Sequence, residues 1–181
     1  MKSLKGIIII VVCAALCLGY YYYLSHRSPA EERALTELEQ VENKDLDRSY
    51  PTTPREVVQF YNRILLCLYN QDLEVDDIEV LAGQAQILLD EELLEQNSLD
   101  MYLFSLMDEL EEYEEDGKQI LSTTISSSRE VEYKTVNGYE CAYVDSSYYI
   151  KGKNDSNRAK QTYILRKDEK GRWKILGYYN P

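Results

Sequence analysis

Near Gly117 the spacing of apolar residues changes. Before it, Leu, Ile and Val recur every third or fourth residue; from Lys118 onward apolar and polar residues alternate, and β-branched and aromatic types replace Leu and Glu. One switch of period excludes a pure helical bundle, a sandwich and an alternating α/β fold. It predicts helices first and an antiparallel sheet second, a segregated α+β domain.

The helical part has clear edges. Thr53-Pro54-Arg55-Glu56 combines an N-cap, a first-turn proline and a capping-box glutamate. A helix is therefore predicted from there to about Asn70, burying Val57, Val58, Phe60, Tyr61, Ile64, Leu65 and Leu68. A second helix is predicted from about Asp76, with Ile78, Leu81, Ala82, Ala85, Leu88 and Leu89 at helical spacing. A third is predicted from Asn97 or Ser98, with Leu99, Tyr102, Leu103, Leu106, Leu110 and Tyr113 inward, until Gly117 stops it. Strands are predicted near 119–126, 129–136, 139–151, 159–167 and 172–179, read as a meander. Asn137-Gly138 marks a tight hairpin and Asp168 to Gly171 a second turn. The expected domain, 52–181, has three helices packed on one face of a curved antiparallel sheet of four to five strands.

Ahead of it, Gly6 to Leu24 is an uncharged stretch of 19 residues. At ~1.5 Å per residue that just crosses ~30 Å of hydrocarbon. Lys2 and Lys5 precede it, and the positive-inside rule holds the stub 1–5 in the cytoplasm. The expected layout is a single-pass anchor at 6–24, an acidic stalk at 25–51 and an extracytoplasmic domain at the cell membrane. No Ala-x-Ala pattern marks cleavage after the apolar run, and Val12 and Leu16 stand where a lipidated Cys13 or Cys17 would need small residues. Cys67 and Cys141 fall in apolar patterns; an extracytoplasmic address permits a disulfide between them, and two buried free thiols fit equally. His26, the only histidine, reads as an interfacial residue beside the membrane.

Charge narrows the partners. The net charge of −12 over 181 residues argues against nucleic acid, which needs a surplus of cations to displace counterions. The charge is also uneven: residues 25–118 hold 7 Lys and Arg against 25 Asp and Glu, while 119–181 hold 11 against 7. The densest acidic run, Asp108 to Asp116, sits at a helix C-terminus, where the macrodipole disfavours anions and compensation is expected, either by Lys118 and sheet residues such as Arg129 or by a basic partner or divalent cation. No EF-hand loop, Cys/His metal spacing, phosphate loop, dinucleotide fingerprint or nucleophile elbow is present, so no metal, cofactor or catalytic residue is assigned.

Four segments carry a resemblance: Pro51 to Val58, Asp90 to Leu94, Val131 to Tyr133 and Leu165 to Gly177. Together they resemble an uncharacterised family of short single-pass membrane proteins of Gram-positive bacteria. That resemblance spans almost the whole chain and implies the anchored topology without any activity. The helices-first order and the closing Gly171-Arg172-Trp173-Lys174-Ile175 also resemble the cone-shaped nuclear-transport-factor-two-like, or cystatin-like, superfamily. That fold implies a pocket between sheet and helices, which members use in different ways.

Two places invite function. Alternation puts Tyr139, Cys141, Tyr143, Asp145, Ser147 and Tyr149 on one strand face. If that face lines a pocket, Tyr143, Asp145, Tyr149 and Tyr163 form a candidate site, a carboxylate among phenols suited to proton transfer. The hairpin basic cluster Lys151, Lys153, Arg158 and Lys160 is a candidate interaction surface for an anionic envelope polymer, lipid headgroups or the acidic face of a second copy. The leading expectation is a non-enzymatic, membrane-anchored module that binds a protein or cell-envelope partner and can self-associate. The rival is a small-molecule-binding protein or isomerase-like enzyme using the pocket.

Overall fold

The structure, a computed structural model, describes residues 35–96 and 98–181. The expected stub, the anchor at 6–24 and the stalk up to 34 lie outside the described residues. Among the described residues no helix is long and apolar enough to cross a membrane. Among the described residues five helices precede a five-stranded antiparallel sheet: α1 (Glu37–Glu42), α2 (Pro54–Asn70), α3 (Val75–Leu88), α4 (Glu91–Gln96), α5 (Leu99–Glu115), β1 (Gln119–Ile125), β2 (Glu132–Val136), β3 (Tyr139–Lys151), β4 (Ser156–Lys167) and β5 (Trp173–Tyr179).

The three expected helices are α2, α3 and α5. At α2 the capping box is complete: the Thr53 hydroxyl accepts from Glu56 N, and the Glu56 carboxylate accepts from Thr53 N at 3.1 Å. Its buried side carries Val57, Val58, Ile64, Cys67 and Leu68, packed against β1, β3 and β5. Ser98 caps α5. At the other end Gly117 takes φ 57°, and Lys118 N donates to Tyr113 O at 2.8 Å, a Schellman closure. The acidic C-terminus of α5 is compensated by Lys118, 2.6 Å from Asp116, and by the Lys153 ammonium, which donates to the Glu115 carbonyl.

Two more helices are present: α1, inside the segment expected to be a partly helical stalk, and α4, which was not expected. Thr36 and Glu39 form a second capping box that opens α1, and Val41 and Leu46 are 0% and 3% exposed in the main core. Arg63 holds Glu37 at 2.5 Å, and the Gln84 amide donates to the Glu42 and Lys44 carbonyls. The compact body therefore starts at Thr36 and not at 52, because the apolar positions assigned to a stalk have a core to enter. The short α4 follows Asp90, whose carboxylate accepts from Glu92 N and from the Arg166 guanidinium. Asp90 N donates to Ile175 O at 2.8 Å, so this segment covers the outer edge of β5.

The sheet departs from a simple meander. β3, 13 residues long, is longer than either neighbour before it, so β1 and β2 share it end to end. β2 pairs with its first half, Val136 opposite Tyr139, and β1 with its second, Ile125 opposite Ser146 and Gln119 opposite Lys151. β4 and β5 follow as antiparallel neighbours. Asn137 at φ 51° and Gly138 at φ 85° make the expected hairpin turn. The free edge of β1 is closed by the Asn70 side chain, which donates to Ile120 O at 2.7 Å and accepts from Ile120 N at 2.8 Å.

Helices cover one sheet face. The inward residues of β3 are Ala142, Val144, Ser146 and Tyr148, all buried, and they meet Leu165, Tyr163 and Ile175 from the next strands. Cys67 and Cys141 are buried free thiols, and burial pushes the Cys67 thiol up to about 11.

Candidate functional site

Between α5, the C-terminal half of α2 and the inner sheet face lies a cavity of about 450 Å³, open to solvent on one side. α5 buries only Leu106, so it roofs this space without filling it. The walls are unusual in composition. Seven tyrosines reach them: Tyr61 and Tyr69 from α2, Tyr102 and Tyr113 from α5, and Tyr148, Tyr163 and Tyr178 from the sheet. Leu65, Leu93, Ile150 and Ile175 supply apolar wall, and Ser105, Glu109 and Gln161 the remaining polar groups.

At the back of the cavity the polar atoms form one chain. Asn62, 2% exposed, donates to Ser146 Oγ at 2.9 Å and accepts from the Tyr148 hydroxyl at 2.6 Å. Tyr148 and Tyr163 hydroxyls are 2.6 Å apart, and Tyr163 lies 3.0 Å from the Gln161 side-chain amide. Each phenol has one proton. If Tyr148 donates to Asn62, Tyr163 must donate to Tyr148, and Gln161 must then turn its NH₂ toward Tyr163. In the other arrangement Tyr163 donates to the Gln161 oxygen, Tyr148 donates to Tyr163 and Asn62 turns its NH₂ toward Tyr148; either way both phenol protons are spent within the chain.

The phenols are held neutral. Burial is the largest cause at Tyr163, Tyr148 and Tyr61, and neighbouring phenols add to it at Tyr163 and Tyr61; all three are raised above the usual tyrosine value. Tyr69 is raised by burial and then by the nearby Glu109 carboxylate. Tyr102 is raised as well, with burial the largest cause. At neutral pH these groups are hydrogen-bonding walls, not bases.

Of the four residues expected to line a pocket, only Tyr163 does. Tyr143, Asp145 and Tyr149 sit on the opposite sheet face, because the inward set of β3 is the even-numbered one. Asp145 is exposed and accepts from Thr162 Oγ1 at 2.6 Å; the Lys134 ammonium lies 4.7 Å from the Tyr143 ring centre; Tyr149 donates to Ser156 Oγ at 3.1 Å. The proton-transfer site built on Asp145 is therefore withdrawn. Sequence reasoning missed six of the seven cavity tyrosines as site residues. The available signal was composition, 17 Tyr against 2 Phe, combined with Tyr at inward helix positions.

The basic cluster divides. Lys153 is bound to the end of α5, as described above. Lys151, Arg158 and Lys160 are exposed, and register puts Arg158 opposite Tyr149 and Lys160 opposite Ser147 on the outer face. Among the described residues no group of three or more metal-ligating side chains converges.

The segments that carry the family resemblance give the cavity Leu93 and Ile175, and their other contacts lie to one side of it. Asp90 binds Arg166, Tyr50 donates to Trp173 O at 2.7 Å, and the Tyr133 and Trp173 rings lie 5.8 Å apart. These contacts gather at the Trp173 end of the sheet, whereas the cavity lies toward Tyr148 and Ala159.

Fold and site together define a helix-covered antiparallel-sheet domain with a tyrosine-walled cavity. The chain belongs to the family described as domain of unknown function DUF6715, whose model matches residues 1–178. No curated protein matches it.

Proposed function

We propose that the protein is a non-enzymatic binding module, anchored in the cell membrane by residues 6–24, whose extracytoplasmic domain holds a small ligand in the tyrosine cavity. The observation that carries this reading is the cavity itself. Its volume of about 450 Å³ falls within the usual range for small-molecule sites, and it combines apolar walls with few polar groups. The order of elements supports a cone of the nuclear-transport-factor-two-like type. The uncharged run from Gly6 to Leu24 behind Lys2 and Lys5 supports a cytoplasmic N-terminus, in keeping with single-pass proteins of Gram-positive bacteria. Two experiments test this. A small-molecule screen by melting temperature on full-length protein in maltoside micelles should find stabilising compounds, and the cavity-filling variant Ala159→Phe should lose the response. External protease added to intact cells should remove the domain; protection of the domain would overturn the topology.

A second reading rests on the outer face. Lys151, Arg158 and Lys160 form an exposed cationic strip beside Tyr149, with no ion-pair partner among the described residues. It suits an anionic envelope polymer or the acidic helical side of a second copy. Crosslinking from native membranes should give a salt-sensitive product that the Lys151→Glu, Arg158→Glu, Lys160→Glu variant loses.

A further inference from the structure

We infer that the cavity selects an organic cation, an ammonium group carried on an apolar or aromatic body. This rests on the reading of the cavity as a ligand site and adds the ligand's charge. Among the described residues Glu109 is the only formally charged residue lining the cavity; Lys118 stands against a wall ring, its ammonium 5.5 Å from the Tyr113 ring centre. The rest of the polar wall is mainly phenol, and phenol rings carry negative faces that attract cations.

The rings are set to present those faces. Tyr69 and Tyr113 lie 4.6 Å apart at 53°, Tyr61 and Tyr163 5.8 Å apart at 71°, and Tyr163 and Tyr178 5.8 Å apart at 49°. At these separations the two rings of each pair touch, so a guest meets the ring faces that border the cavity and not a gap between paired rings. Glu109 is exposed and lines the cavity beside Tyr69 and Tyr113, the first ring pair. Its neighbours on α5, Asp108, Glu111 and Glu112, add negative potential at the entrance, which draws cations and repels anions.

The hydroxyls argue the same way. The protons of Tyr148 and Tyr163 are spent inside the chain that ends on Ser146, so the back of the cavity has few free donors for an anion. A bare ammonium ion would leave most of 450 Å³ empty. An ammonium with a body of aromatic size fills it, the charge toward Glu109 and the body against Leu65, Ile150 and Ile175.

The test uses full-length protein in maltoside micelles and three matched probes: benzyltrimethylammonium, its uncharged carbon isostere neopentylbenzene, and benzoate. Calorimetry should show the cation binding roughly tenfold or more tighter than the isostere, with benzoate weakest. Glu109→Gln, a change at an exposed position, should weaken the cation several-fold and leave the isostere unchanged. Tyrosine ring resonances should shift with the cation, and Ala159→Phe should abolish those shifts. Equal or tighter binding of the isostere or benzoate, blocked by Ala159→Phe, would overturn the choice of a cation while leaving the ligand cavity standing. Probes that bind alike to wild type and Ala159→Phe, or that bind neither, would overturn both.

Discussion

Tyr148 and Tyr149 are adjacent in sequence and opposite in role. Tyr148 is 2% exposed and its hydroxyl bonds both Asn62 and Tyr163; Tyr149 is 39% exposed and bonds only to Ser156 among the described residues. Removing the first hydroxyl leaves the Asn62 amide and the Tyr163 hydroxyl each short of a partner in a buried site. Tyr148→Phe should therefore cost about 1–3 kcal/mol in denaturant unfolding. Tyr149→Phe should stay within about 0.5 kcal/mol of wild type. Equal effects would mean that the inward face of β3 has been misassigned. Asp90 makes the strongest pairing at this scale. Its carboxylate, 5% exposed, is shared between the Arg166 guanidinium and the first turn of α4. Asp90→Ala strands Arg166 with only the exposed Glu92 at 3.1 Å and should cost about 3 kcal/mol, read from the unfolding midpoint.

At the scale of elements, legibility followed local chemistry. α2 was readable to its ends, since a capping box and a first-turn proline open it and its apolar spacing carries on to its last turn. The strands were readable from alternation and from Asn137-Gly138. α1 was not, although Thr36-x-x-Glu39 repeats the pattern that announced α2; its few apolar residues gave no sustained period, and only Val41 and Leu46 entering a distant core show its value. Thr36→Ala should lower stability by about 1 kcal/mol, the usual worth of a cap; a stalk helix outside the core would show no change in melting. The inward face of β3 was unreadable for a different reason. Period two groups residues by face without saying which face is covered, and this strand carries Tyr on both: Tyr148 inside, Tyr139, Tyr143 and Tyr149 outside. The cavity was unreadable because its seven tyrosines come from α2, α5, β3, β4 and β5.

At the scale of the whole molecule, the cluster of neutral phenols links stability to alkaline pH. Tyr61, Tyr69, Tyr102, Tyr148 and Tyr163 are all raised above the ordinary 10.0, with burial the first cause at each. Below 10.0 both folded and unfolded chains keep these protons, and the stability tied to them is complete. Above it the unfolded chain loses protons that the folded chain retains, so stability falls as pH rises. Tyrosinate absorbance from the cavity set should therefore appear only together with loss of circular dichroism. The same molecule separates its duties. The Trp173 end, tied by Asp90, Arg166 and Tyr50, holds helices to sheet, and the other end leaves α5 lightly packed over an open space.

The central claim is that this space binds a ligand. Its most direct test is the melting temperature of full-length protein in maltoside micelles against a small-molecule collection, run in parallel on wild type and Ala159→Phe. The account predicts compounds that raise the wild-type midpoint by several degrees and leave the filled variant unmoved. A collection that moves neither protein, or moves both alike, would contradict it.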